Sequence, residues 1–248
     1  MKSKYLILGD IHGRTFWKDI ISKENPDMTV FLGDYFTTHE GYSSEEIATN
    51  FVDILNYKEA NPLKVKLLRG NHDLQVLYKW ASCTPTPGSE ELAIADKEKD
   101  RFLKLSQWIY MFPREKTGLS KDIVCSHAGI SKKWMENCGF SSIHFINEFP
   151  PSKSFGFIEP DYSGYGDDPN QSLTWIRPQS LVISAYRPDQ YIQIVGHTLV
   201  PSPVHYKGEK PTSDLELDLS ETDIWFNDCL GNEWYLVIED GVITPKEL

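Results

Sequence analysis

The sequence predicts an α/β fold, and three observations carry that expectation. Short apolar, β-branched runs recur at 5–8, 29–32, 65–68, 123–125, 191–195, 224–226 and 234–238. Each is bounded by turn residues, often Gly or Asp, as buried strands are. Segments of helical period separate the early runs, and strands alternating with helices are the α/β pattern. Finally, 248 residues that are 40% apolar and 12% aromatic hold enough material for a sizeable core.

The elements follow in order. Residues 14–23 place Trp17, Ile20 and Ile21 on one helical face. Ser43 and Glu46 have capping-box spacing, and Ile47, Phe51, Ile54 and Leu55 continue the apolar stripe at i, i+4, i+7 and i+8. A third helix is expected from about Ser89 to Ile109, on Leu92, Leu103, Leu105 and Trp108. Little more than a Gly-Asn turn separates the last two runs, so the C-terminal half is expected to be more antiparallel. Residues 150–170 carry four prolines, three glycines, Phe155, Phe157, Tyr162 and Tyr165. A loop longer than ~12–15 residues is usually functional or disordered, and these aromatics suit a lid or substrate-facing wall as readily as a packed excursion. No repeat or linker divides the chain, so one domain over 1–248 is expected.

Charge and cysteine content exclude several classes. The formal charge is −11, from 25 basic and 36 acidic residues. That opposes non-specific binding to nucleic acid or anionic membranes, where Lys and Arg neutralise phosphate. No run approaches the ~20 apolar residues of a membrane span. Only Tyr5-Leu6-Ile7-Leu8 precedes Asp10, shorter than the ~7–15 residues of a secretory apolar region, so no signal peptide is read. Cys83, Cys125, Cys138 and Cys229 are irregularly spaced and make neither a metal pair nor a disulfide framework. A cytoplasmic location is expected.

The polar residues decide the chemistry. Five apolar runs end in metal-competent side chains: Gly9-Asp10-Ile11-His12-Gly13, Gly33-Asp34, Gly70-Asn71-His72-Asp73, Ser126-His127-Ala128-Gly129 and Gly196-His197-Thr198. In open α/β sheets ligands bind beyond the carboxyl ends of the strands, so these segments are expected to converge on one site. A lone strand-end His is more often structural, and a lone Asp more often a helix cap. Four of the seven histidines falling in these blocks is another matter.

The ordered set GDIHG, GD, GNHD, HAG and GHT resembles the calcineurin-like metallophosphoesterases. More narrowly it is similar to their phosphoprotein phosphatase and symmetrical diadenosine tetraphosphatase branch of bacterial and phage type. The resemblance runs from Gly9 to about Asp228, where Ile224-Trp225-Phe226-Asn227-Asp228-Cys229 is similar to the family's strand near the C-terminus. It implies a four-layer α-β-β-α sandwich of two mixed sheets, with a dinuclear metal site at the carboxyl edge of the strands. It further implies that Asp10 and His12 bind one metal, that Asp34 bridges both, and that Asn71, His127 and His197 complete the second. Carboxylate, amide oxygen and imidazole without thiolate suit Mn²⁺ foremost, or Fe or Zn²⁺. Two such ions activate a bridging water for attack on a phosphoester. By the same resemblance His72 is the general acid for the leaving oxygen, and Arg177, in a Trp-x-Arg element, binds phosphate. Arg69 is read as a support of the fold, Asp73 as an orienter of His72 or a helix cap, and Arg14 is left open.

One departure stands out. Where the family reads Gly-Asp-x-x-Asp-Arg-Gly, this chain has Gly33-Asp34-Tyr35-Phe36-Thr37-Thr38. The partner of the acid His becomes Thr37 and a phosphate-binding Arg becomes Thr38, with His39 and Glu40 near enough to substitute. The expectation is a slower phosphatase, or one with a different phosphorylated substrate, acting on phosphomonoesters in small molecules, nucleotides or phosphoproteins. The alternative is hydrolysis of dinucleoside polyphosphates or phosphodiesters. A non-catalytic scaffold is the minor alternative, opposed by the survival of all six metal ligands.

Overall fold

The computed structural model describes residues 3–81, 83–159, 167–210 and 217–248. Tyr162 and Tyr165 of the expected lid lie outside them. The strands are β1 (Tyr5–Leu8), β2 (Met28–Phe31), β3 (Val65–Leu68), β4 (Ser106–Gln107), β5 (Ile109–Phe112) and β6 (Asp122–Ser126). They continue with β7 (Tyr191–Leu199), β8 (Val204–Lys207), β9 (Asp223–Asp228), β10 (Trp234–Glu239) and β11 (Val242–Glu247). The helices are α1 (Trp17–Glu24), α2 (Ser44–Ala60), α3 (Asn71–Leu77), α4 (Ser89–Leu105), α5 (Arg114–Thr117), α6 (Lys132–Asn137) and α7 (Pro178–Ser184).

Two mixed sheets form. The first has the order β11-β10-β1-β2-β3-β4 and the second β5-β6-β7-β9-β8. In the first, β1 to β4 are parallel, while β10 is antiparallel to β1 and β11 to β10. In the second, β6, β7 and β9 are parallel and the edge strands β5 and β8 antiparallel.

The period of two in each strand builds the layers. Tyr5, Ile7, Val30 and Leu32 of the first sheet meet Ile123, Cys125, Ile192, Ile194 and Trp225 of the second. The alternate residues Leu6, Leu8 and Phe31 pack with Trp17, Ile20, Phe51 and Ile54 of α1 and α2. On the far side Val124 packs with Trp134 and Met135 of α6, and Val195, Ile224 and Phe226 with Leu181 of α7. The result is the expected α-β-β-α order. The α2 capping box is present: Ser43 Oγ accepts from Glu46 N at 3.2 Å and Glu46 Oε2 from Ser43 N at 2.8 Å.

Three expectations are corrected. The first helix begins at Trp17, because Arg14 sits in a turn closed by its N–H to the Ile11 carbonyl. The third helix ends at Leu105 rather than Ile109. Ser106 and Gln107 instead pair with Leu67 and Leu68, and Trp108 stacks on Phe155 at 4.1 Å. The runs at 224–226 and 234–238 do not pair with each other: β9 joins the second sheet beside β7 and β10 joins the first beside β1. The antiparallel pairing lies between β8 and β9 and among β1, β10 and β11. Among the described residues no helix is long and apolar enough to cross a membrane.

Candidate metal centre

The strand ends do converge. β1, β2 and β3 of the first sheet deliver Asp10, His12, Asp34, Asn71 and His72, and β6 and β7 of the second deliver His127 and His197. A register shift between Val195 and Leu199 turns His197 out of the ladder. Asp10, Asp34, Asn71 and His127 are buried. Backbone strain gathers here, since His12, Asp34, Thr37 and His197 all have positive φ, between 44° and 65°. Non-glycine residues hold that conformation at a cost of about 1–3 kcal/mol each, characteristically at functional sites.

Asp34 is the hub. Its Oδ2 lies 3.3 Å from His127 Nε2, 3.8 Å from His12 Nε2 and 4.0 Å from His72 Nε2. Asn71 Oδ1 lies 2.9 Å from both His127 Nε2 and His197 Nδ1. Asp10 receives the His197 backbone N–H at 3.0 and 3.1 Å and lies 3.9 Å from His127 and 4.0 Å from His12. The three imidazoles share one arrangement. His127 Nδ1 sits 3.0 Å from the Leu32 carbonyl, His12 Nδ1 2.6 Å from the Thr37 carbonyl, and His197 Nε2 3.2 Å from the Trp175 carbonyl. A carbonyl oxygen only accepts, so each of those nitrogens carries the proton. The other nitrogen of each neutral ring then turns a lone pair towards carboxylate and amide oxygens. Lone pairs facing oxygens repel unless something positive lies between them. A backbone carbonyl behind each imidazole is also how metal-binding histidines are held, so the donor set fits divalent cations.

The electrostatics agree. Burial alone would lower the His127 pKa, but Asp34 and Asp10 outweigh it and push it up to about 10. A positive charge at this position, proton or cation, is what the two carboxylates favour. Burial would raise Asp34, yet His127 and His72 hold its carboxyl well below the usual range. Asp10 is raised well above it by burial, and next by Asp228.

Asp73 caps α3 and does not orient His72. It accepts from the N–H groups of Gly70 (2.7 Å), Asp34 (3.0 Å) and Tyr35 (2.8 Å), tying the Asp34 loop to α3. Burial, then the Asp34 charge, pushes its carboxyl up to about 7. His72 is oriented by Thr37, whose hydroxyl hydrogen-bonds its Nδ1, with Cys83 Sγ 3.5 Å away. Burial is the main cause of its pKa falling to about 4.

The cationic residues divide. Arg69 supports the fold through Ser106 and the Leu103 carbonyl. Arg14 is buried and forks onto Glu40, with Nη1 on the Asp10 carbonyl at 3.0 Å. Glu40 thus neutralises Arg14 and does not replace the family's Asp beside His72. Arg177 precedes α7 and donates to the His197 carbonyl and Thr198 Oγ1. A cavity of about 670 Å³ opens over the cluster, lined by Arg14, Arg177, His39, Phe157 and Trp175 among others. Phe157 is thus where a substrate-facing wall would place it, whereas Phe155 is core. Sequence reasoning left Asp228 unassigned, though it lines the same cavity and ends β9 just as Asp34 follows β2.

The calcineurin-like phosphoesterase family matches residues 3–227. The chain belongs to that family. The family is a metal-dependent one. The symmetrical bis(5'-nucleosyl)-tetraphosphatase of Salmonella typhimurium is 26% identical over 171 residues, 66% of this chain and 56% of the relative. The Salmonella paratyphi A protein of the same name is 24% identical over 169 residues. The match thus spans little more than half the length of these curated relatives. Among solved structures, a cold-active protein-tyrosine phosphatase of a psychrophilic Shewanella superposes with a TM-score of 0.57 at 16% identity, over 98% of this chain and 77% of that one. A Saccharomyces cerevisiae protein serine/threonine phosphatase gives 0.55 at 13% identity, over 99% and 80%. At those identities the likeness is one of fold.

Proposed function

We propose that this phosphoesterase hydrolyses phosphomonoesters with two divalent cations, Mn²⁺ foremost, or Fe or Zn²⁺. The observation that carries the reading is the trio of imidazoles, each with one nitrogen on a backbone carbonyl and the other aimed at Asp34, Asp10 or Asn71 oxygens. Asp10 and His12 would hold one ion, Asp34 both, and Asn71, His127 and His197 the other. Bound there, such a pair supplies Lewis acidity and a solvent nucleophile at neutral pH.

The remaining steps belong to the chain's own residues. To protonate the leaving oxygen His72 would act as the imidazolium, its Nδ1–H donating to the Thr37 hydroxyl oxygen while its Nε2–H, beside Asp34, passes to the leaving oxygen. Arg177 lines the same cavity and presents a guanidinium to phosphate. We further propose that residues 1–248 act as one domain, supported by the pairing of β1 with β10 across the length of the chain.

A second reading, dinucleoside polyphosphate hydrolysis, is favoured by Phe157 and Trp175 on the cavity wall, where a base could stack. The test is a substrate panel with Mn²⁺ and with chelator. Mn²⁺-dependent release of nitrophenol from the aryl monophosphate, exceeding that from its diester and turnover of diadenosine tetraphosphate, is expected. Dominant tetraphosphate turnover would select the second reading. Asp34→Asn is expected to abolish both metal binding and turnover, and wild-type activity in that variant would overturn the assignment.

A further inference from the structure

β9 brings a carboxylate to the cavity that the ligand set above does not use. Asp228 closes that strand, is only 6% exposed, and lines the cavity with Asp10 and His12. The approach is close. A Cβ at Gly9 would stand 2.0 Å from the Asn227 carbonyl oxygen and 3.3 Å from Asp228 Cα, so glycine there lets the end of β9 press against the Asp10 loop. Asn227 is occupied elsewhere, donating to the Ile7 carbonyl at 3.2 Å.

The Asp228 side chain differs from its neighbours. Asp10, Asp34 and Asp73 each accept backbone N–H groups. Among the described residues no donor hydrogen-bonds the Asp228 carboxylate, and neither His12 nor Arg14 forms an ion pair with it. Arg14 is already engaged by Glu40 and the Asp10 carbonyl. The Asp228 side chain lines the cavity, so a cation or donor entering there would supply the partner that the carboxylate lacks among the described residues.

We propose that Asp228 is a third carboxylate of the divalent-cation pocket, beside Asp10 and Asp34, and that it strengthens cation binding. The inference rests on the metal-dependent reading above.

The test is Mn²⁺ affinity and stoichiometry, measured on the full chain by calorimetry and by the electron paramagnetic resonance signal of free Mn²⁺. Asp228→Asn is expected to fold and to weaken binding by ~10–100-fold, the size of effect seen when groups supporting metal ligands are lost. Asp228→Glu, which keeps the charge, is expected to fall nearer the wild type. Wild-type Mn²⁺ affinity in Asp228→Asn overturns the proposal. So does equal weakening in both variants, or a change confined to substrate KM. If Asp34→Asn loses Mn²⁺ while Asp228→Asn does not, only this inference fails. If the wild-type chain takes up no Mn²⁺, the parent reading fails as well.

Discussion

Replacing Gly70 by alanine isolates one contact on which the site's geometry depends. Gly70 has φ −106° and ψ 179°, extended backbone that alanine adopts without strain, so any effect is steric. The added Cβ would lie 2.0 Å from Asp34 Oδ1 and 2.7 Å from Asp34 N. Ordinary contact is about 3.5 Å, so the carboxylate would have to retreat by more than ~1 Å. It cannot do so freely. Asp34 Oδ1 accepts the His72 N–H at 2.9 Å, and Asp34 N donates to Asp73 at 3.0 Å. Overpacking of this kind costs about 1–3 kcal/mol, or a few degrees of Tm in a chain of this size. A 1 Å displacement of a reacting group costs ~100-fold in rate. The assay is kcat/KM for an aryl monophosphate at saturating Mn²⁺, paired with a thermal melt. Gly41, with nothing within 4 Å of its added Cβ, is the control, and Gly41→Ala is expected to be silent. Gly70→Ala with wild-type turnover and Tm would refute the claim that a bare backbone at 70 sets the Asp34 carboxylate.

Two further outcomes follow from contacts on and off the site. Thr37→Asp restores a carboxylate against His72 Nδ1, at a positive φ that Asp tolerates. Turnover of an alkyl monophosphate, whose leaving group needs the proton most, is expected to rise roughly 10-fold relative to the nitrophenyl ester; an unchanged ratio would sink the role given to Thr37. Away from the site, buried Glu24 accepts from Lys246, Tyr235 and Lys4. Burial would raise its pKa, but these partners, Lys246 first, hold it below the usual value. The ionised form therefore stabilises the fold above the unfolded pKa of ~4.3, and the contribution is lost as pH falls through the lowered folded value. Glu24→Gln is expected to cost about 1–3 kcal/mol in urea unfolding at pH 7, with the gap to wild type closing below about pH 4. A gap that does not change with pH would contradict this.

The fold and the convergence of these polar residues could be read from the sequence for the same reason. Buried strands must be apolar, so the polar residues that break them advertise where each strand ends. Asp10, Asp34, Asn71, His127 and His197 are all such breaks. What escaped depends on contacts between distant residues. Trp108 continues the apolar spacing of α4, and only its stacking on Phe155, 47 residues along the chain, shows that it lies past the helix end. The short turn after β9 reads as a hairpin, but Phe226 and Ile224 face α7 while β10 is needed to cover the free edge of β1. Asp228 resembles any Asp after a strand. Its significance comes from what does not bond to it, and no periodicity reports that.

The site is divided between two sheets. Asp10, His12, Asp34 and Asn71 follow strands of the first sheet, whereas His127, His197 and Asp228 belong to the second. Among the described residues no strand pairing joins the halves. They are held in register by side chains such as Ile7, Val30, Ile123 and Ile194 packed between the sheets, and by contacts such as the His127 Nδ1–H on the Leu32 carbonyl. Close packing transmits small volume changes rather than absorbing them. A core substitution such as Ile194→Val, which costs about 0.5–1.5 kcal/mol, therefore acts from the apolar interior on the 2.9–3.9 Å spacings across the seam. The apolar interior of the sandwich is thus part of the machinery that sets the distance between Asp34 and His127.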